Sequence, residues 1–428
     1  MIRKEIYNGV NLNVIPSEKF KTNYLSVNFI VPLDKDTAYL TALVPKILSR
    51  GSKKYPDMAK ISERLEYLYA AGITPVYTKR AQSIAVGFAA DFVKDNFVPA
   101  GTNLLEDVCE ILFDIIFSPL TENGFFSKSY TESEKIDLIN FINSKINNKA
   151  AYAKEKCTEI MFEGHPYGVC EFGTTEQVKG ADEVQVYNRY LDIVKKAPVE
   201  IFFSGECEQE KLIQTIKKYF PEDISRTCAF PGKELLDRKV KNVKNFEEAM
   251  PVAQGKLVMG LRMGGIDVNS YESAAFAVFN EIFGGSPSSK LFMNVREAMS
   301  VCYYCRSMPD LYMSAMFVSS GIESKDFDKA KNAILEQLDA VKNADFTEVE
   351  IEDAKRSLIN NYKELDDSAH ALCTWYMSRI ISGNSETPKD TISKIMNVTK
   401  EDIVNACKNV ELDTVYFIRG NGQDGEEE

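Results

Sequence analysis

The chain holds two histidines, His165 and His370, far apart along its 428 residues. A histidine-held zinc needs two or three imidazoles converging on one point, and neither histidine sits in ligand spacing. His165, in Gly164-His165-Pro166-Tyr167-Gly168, reads as a turn residue that hydrogen-bonds the backbone. His370, beside Asp366 and Asp367, reads as a cap or an ion pair at a helix start. Cys302-Tyr303-Tyr304-Cys305 is a single CxxC without the second pair of a zinc ribbon. It falls in a segment that reads as strand, where positions i and i+3 face opposite ways, so both thiols are expected to pack. Gly284-Gly285-Ser286-Pro287-Ser288-Ser289-Lys290 resembles a phosphate loop in composition alone. It lacks the GxxxxGK[ST] spacing and reads as a helix-to-helix turn or a peptide-contacting loop. No GxSxG nucleophile and no dinucleotide fingerprint occur.

The elements that would position these residues come twice. Period-two alternation marks strands at 5–7, 10–15 and 25–31, with Asn8-Gly9 as a tight hairpin turn. Helical patterns follow at 38–49 and 59–68, a strand pair at 73–79 and 83–89, and helices at 97–117, 121–148, 152–162 and 185–193. A buried strand at 199–205 and an amphipathic helix at 208–219 close the first half. The second half runs through a strand at 256–261, helices at 270–283 and 288–298, and a strand pair at 303–308 and 313–319. Four helices at 325–342, 348–366, 369–382 and 400–410 precede a last strand at 414–420. The same order recurs at an offset of about 210–235 residues, the mark of a duplicated unit. The expected fold class is α+β, with two homologous domains, each a mainly antiparallel sheet covered by helices. The domains are placed at 1–222 and 248–428, with 223–247 as a linker that contains Pro231-Gly232 and a charged run. Residues 423–428 read as a frayed acidic tail.

Composition excludes several classes of function. Hydrophobic residues make up 44% and charged residues 27%, as in soluble globular proteins rather than disordered ones. The net charge of −12 opposes binding to phosphate backbones, so no nucleic-acid partner is expected. No apolar run approaches the ~18–20 residues that span a bilayer, so no membrane partner is expected. Nine widely spaced cysteines, an odd number, read as free thiols of a reducing compartment. The N-terminus lacks the apolar core of a signal peptide, and the expected location is cytoplasmic.

Over nearly its whole length the chain resembles the inverted zinc metallopeptidases of the pitrilysin, insulinase and mitochondrial processing peptidase type. Gly51-Ser52-Lys53-Lys54-Tyr55-Pro56 matches the turn that follows the family's His-x-x-Glu-His helix. Gly164-His165-Pro166-Tyr167-Gly168, then Phe172-Gly173-Thr174, matches a second signature. Gly284-Gly285, Ser289-Lys290-Leu291-Phe292, Val295-Arg296-Glu297 and Tyr303 match a third. The resemblance places the two zinc histidines at Ala42 and Lys46, the general-base glutamate at Pro45 and the third ligand at Phe141. None of these can serve, and 38–50 contains no His, Glu, Asp or Cys at all. The acids near Phe141, namely Glu132, Glu134 and Asp137, read as a solvated helix face. The site is therefore expected to be vacated, with no metal or cofactor in this chain.

What the resemblance leaves is the substrate-binding pair, Arg296 and Tyr303, which in the family hydrogen-bonds the backbone of the bound peptide. A guanidinium and a phenol supply N–H and O–H donors for that task. Some family members split the roles between two chains, one with zinc and one with the Arg/Tyr pair. The resemblance thus implies a peptide-binding subunit whose partner is a zinc-bearing paralogue of similar length. A catalytically inactive scaffold or peptide-binding protein is the alternative, and the isolated chain is a candidate homodimer.

Overall fold

The computed structural model describes residues 1–222, 226 and 239–420. Most of the expected linker and the acidic tail therefore lie outside the described residues. The chain forms two compact units. Each is built on a mainly antiparallel sheet with helices against it, as the duplicated sequence pattern implies.

The first sheet runs in the order Ile2–Tyr7, Val10–Pro16, Val199–Gly205, Thr22–Pro32, Ser83–Val93, Gly72–Arg80. Every neighbouring pair is antiparallel except Val10–Pro16 with Val199–Gly205. The second sheet runs Cys302–Asp310, Ala315–Ile322, Gly255–Arg262, Glu411–Gly420, Lys244–Met250. Its one parallel pair, Glu411–Gly420 with Lys244–Met250, stands where the first sheet has its own. The duplication therefore extends to strand order and direction, apart from the extra edge strand Ile2–Tyr7. Residues 244–247 of the expected linker enter the Lys244–Met250 strand.

Period two decides what each sheet face buries. In Thr22–Pro32, Leu25, Val27 and Phe29 face a large core with the helices Ala38–Leu48, Leu104–Phe117 and Glu183–Lys196. The alternate residues Tyr24 and Ile30 face the other way, with Ala85, Ala89 and Phe202. That second face is covered by the helix Ala369–Ile381, through Cys373, Tyr376, Met377 and Ile381. The second sheet follows the same rule with the chain order reversed. Its core is Leu257, Met259 and Leu261 with helices of the second half. Its other face is covered by Lys149–Met161, from the first half of the sequence. Close approach there requires Gly260: a Cβ at that position would stand 2.7 Å from the Met161 sulfur and 3.3 Å from that of Cys157. Each half of the chain thus gives one helix to the sheet of the other half.

Two helices differ from the sequence expectation at their starts. The stretch 97–117 is helical from Leu104, whose N–H is accepted by Asp95 at 2.9 Å. The stretch 121–148 opens with a two-strand turn, Thr121–Glu122 with Phe125–Phe126, before the helix Lys128–Ser144. Asn123 and Gly124, both at positive φ, make that turn, so the helix begins several residues late.

Candidate functional site

The helix Ala38–Leu48 holds three of the four positions that match the family's zinc residues. Ala42 and Pro45 are buried against the first core, and Lys46 lies in its last turn. Pro45 sits inside the helix, where it can donate no backbone bond to the preceding turn. The basic turn after the helix is tied down independently of any metal. The Ser52 N–H donates to the Tyr55 carbonyl at 2.7 Å, the Lys53 N–H to the Ser118 carbonyl at 2.9 Å, and the Ser52 hydroxyl to Asp114 at 2.5 Å.

Phe141, on Lys128–Ser144, is 46% exposed and meets Phe172 edge-on with ring centroids 4.9 Å apart. Phe172 packs against Tyr77 at 5.4 Å, and the Tyr77 hydroxyl donates to the Glu171 carbonyl with the Ala38 carbonyl also within reach at 3.2 Å. An alanine, a proline and a phenylalanine offer no lone pair to a metal, and a lysine offers a positive charge. These four residues do not fit zinc, and no catalytic step through a metal follows for this chain. Among the described residues no group of three His, Cys, Asp or Glu side chains could hold a metal ion.

The acids beside Phe141 do not form one solvated face. Glu134 is buried and takes the Arg50 Nε at 2.5 Å, with Ser133 accepting from the same guanidinium at 3.1 Å. Glu132, 50% exposed beside Lys135, and Asp137, 57% exposed and 3.7 Å from Arg50, fit the expectation. The arginine that ends the helix was the available signal, since a cation at a helix C-terminus often finds a buried acid.

The histidines serve structure. The His165 Nδ1 accepts the Tyr167 N–H at 3.1 Å, as expected of a turn residue. His370 lies edge-on to Tyr24 at 5.7 Å. Burial pushes the nearby Asp91 carboxyl above its ordinary value, and His370 draws it partly back. His370 therefore works against the first sheet rather than with Asp366 or Asp367.

Arg296 lies on Leu291–Ala298, which is π-helical. The Met299 N–H donates five residues back, to the Asn294 carbonyl, at 2.9 Å. Such turns are rare and concentrate at functional sites. The turn is held by Asn294, which donates to Gln337 at 2.6 Å, and by Lys290, 3.3 Å from Glu350. Gly284 is required by packing, because a Cβ there would meet the Leu291 side chain at 2.5 Å and the Ser307 hydroxyl at 2.7 Å. The guanidinium of Arg296 lies over the Phe292 ring at 4.5 Å. Its ion pair with Glu297 is 3.6 Å long between partners 38% and 52% exposed, a weak surface contact.

Tyr303 is 59% exposed on the edge strand Cys302–Asp310. It is the extra residue of a bulge: Cys302 pairs with Ile322, and Tyr304 with the next residue, Gly321. The bulge also corrects the expected facing of the two cysteines. Cys302 and Cys305 are both buried in the second core. The Cys302 thiol is drawn below the ordinary value, first by a hydrogen bond from Cys305 and less by Arg296, while Cys305 is pushed up.

The family model described as Peptidase M16 inactive domain matches residues 185–358. The "Probable inactive metalloprotease YmfF" of Bacillus subtilis is 31% identical over 417 residues, covering 97% of each chain. The crystal structure of a conserved protein from Enterococcus faecalis superposes with a TM-score of 0.89 at 28% identity, covering 99% of each chain. The peptidase M16 inactive domain from Pseudomonas fluorescens superposes with a TM-score of 0.78 at 15% identity, covering all of both chains, and shows the shared fold. No helix among the described residues is long and apolar enough to cross a membrane. On the strength of this full-length relationship, the chain belongs to the M16 peptidase family, as a member that lacks the zinc motif.

Proposed function

We propose that this chain is the zinc-less, peptide-binding subunit of a two-chain metallopeptidase, partnered by a zinc-bearing paralogue of similar length. One observation carries the reading. Arg296 stands half-buried on a π-turn and Tyr303 exposed on a strand bulge, two irregular elements held by packed neighbours, while neither side chain is spent on the core. A peptide backbone presents carbonyl acceptors, which a guanidinium fork and a phenol O–H can each engage. The zinc and its activated water belong to the partner in this reading, and location in the cytoplasm fits the free thiols.

Co-expression with a zinc-motif paralogue tests it. A stable heterodimer that cleaves a peptide is expected, with no cleavage by this chain alone. Arg296→Ala lowers that cleavage by about ten-fold or more, the worth of one charge-assisted hydrogen bond, and Tyr303→Phe lowers it less. No stable pair with any such paralogue, or full activity in the Arg296→Ala pair, overturns the proposal and leaves the scaffold reading.

A further inference from the structure

The second sheet carries a cavity of about 460 Å³ on the face covered by Lys149–Met161. Two cations reach it from facing walls. Arg306 stands exposed on the strand Cys302–Asp310. Lys154 comes from the helix, its ammonium 5.4 Å from the centre of the Phe317 ring. Among the described residues neither side chain has a hydrogen-bond or ion-pair partner. The acid nearest in effect, Asp310, is already engaged: it accepts the Tyr167 hydroxyl at 2.6 Å and the Tyr312 and Met313 N–H groups at 3.1 and 3.2 Å. Burial pushes Lys154 below the ordinary lysine range; Asp310 opposes that push and Arg306 adds to it. Two uncompensated cations facing one cavity form an arrangement that an anion relieves.

The remaining walls select among anions. Phe317 and Met308 are apolar, and Tyr304 contributes a ring. A bare inorganic anion would leave these surfaces against water, whereas an apolar body would cover them. The corresponding place in the first unit, under the helix Ala369–Ile381, has only about 80 Å³ and is closed in by Phe202 and Met377. The opening is thus a property of the second unit and not of the duplicated fold.

We infer that this cavity binds a carboxylate carried on an apolar body, gripped by Lys154 and Arg306 and seated on Phe317, Met308 and Tyr304. The site belongs to this chain alone and stands whether or not a zinc-bearing partner exists. Two sources present that chemistry: the C-terminus of a peptide ending in an apolar residue, and a small free carboxylate.

Calorimetric titration of the full chain tests it with three probes: N-acetyl-Leu-Phe as the free acid, the same peptide as its C-terminal amide, and 4-phenylbutyrate. The peptide acid is expected to bind about ten-fold or more tighter than the amide. Binding of the peptide acid alone assigns the peptide source; equal binding of 4-phenylbutyrate assigns any small apolar carboxylate; both uphold the site. Arg306→Gln, on an exposed side chain, and Lys154→Met are each expected to weaken the acids about ten-fold and leave the amide unchanged. Equal affinity for acid and amide, no binding of either acid, or unchanged affinity in a folded Arg306→Gln variant overturns the inference.

Discussion

Phe141 and Phe172 meet edge-on, ring centroids 4.9 Å apart, at the place that matches the family's third zinc ligand. Phe172 passes the contact to Tyr77, whose hydroxyl reaches the Ala38 carbonyl at the start of the helix that matches the histidine helix. Ring packing here links two elements that a metal would link in an active relative. Folding should therefore be indifferent to zinc. Purified protein incubated with zinc and dialysed is expected to retain no stoichiometric metal by mass spectrometry. A chelator should leave Tm unchanged to about 1 °C, whereas a structural zinc would contribute several kcal/mol. A chelator-induced drop in Tm would show that metal holds the fold.

A second buried group stabilises the first sheet and has no counterpart in any motif. Glu200 is fully buried and accepts from Arg3 at 2.6 Å, Asn13 at 2.7 Å and Asn11 at 3.1 Å. Arg3 lies on the edge strand, so this cluster ties the extra strand of the first sheet to its centre. Arg3→Met leaves the carboxylate without its cation and is expected to cost about 2–3 kcal/mol, less than a fully buried pair because Arg3 is partly exposed. Glu200→Leu takes one of two acceptors from the buried Asn13 amide, which keeps the Ile201 carbonyl at 3.2 Å, and leaves Arg3 without its anion; it is expected to cost a similar amount. Urea denaturation of the two variants reads both; an unchanged midpoint in both would remove the cluster from the stability of the sheet.

The order of elements was legible in the sequence because alternation and the 3.6-residue period survive in both halves. Strands such as 25–31 and 256–261 read correctly for that reason. What did not read out was non-local or irregular. Nothing local distinguishes 152–162 or 369–382 from helices that stay in their own half, since the partner face is set by Gly260 in one case and Phe202 in the other. The bulge at Tyr303 was invisible because one extra residue leaves composition unchanged while reversing the facing of everything before it. Asn123-Gly124 was a readable turn signal, masked by the apolar pattern on either side.

Glu281 offers a pH test of the region before the glycine pair. Burial pushes its carboxyl above the ordinary glutamate value, and the Ser357 hydroxyl, donating at 2.9 Å, draws it partly back. The folded chain therefore holds this proton more tightly than the unfolded chain. Below the unfolded value both states are protonated and the group carries no penalty. As pH rises through the raised folded value, the folded state bears a buried charge and stability falls. Glu281→Gln keeps an acceptor for Ser357 and removes the charge. It is expected to be neutral near about pH 4 and stabilising at about pH 8, with the difference appearing across the interval above the ordinary glutamate range. Thermal denaturation across that range checks it, and a Gln variant destabilised at high pH would show that the carboxylate is favoured where it sits.

The exchanged helices make a prediction about where the chain can be cut. A fragment of residues 1–222 contains all strands of the first sheet but lacks Ala369–Ile381, which covers Tyr24, Ile30, Ala85 and Phe202. A fragment of residues 248–428 lacks both Lys149–Met161 and most of the Lys244–Met250 strand. Leaving one such aromatic side chain in water costs roughly 2–3 kcal/mol, and several together approach the whole stability of a domain. Each fragment alone is expected to be poorly soluble, to bind a hydrophobic dye and to lack a cooperative transition. Co-expression of residues 1–222 with residues 223–428 returns both helices to their sheets, and the two pieces are expected to co-purify with a single transition below that of the intact chain. A fragment of residues 1–222 that is monodisperse and unfolds cooperatively by itself would mean that the helix from the second half is dispensable to the first sheet.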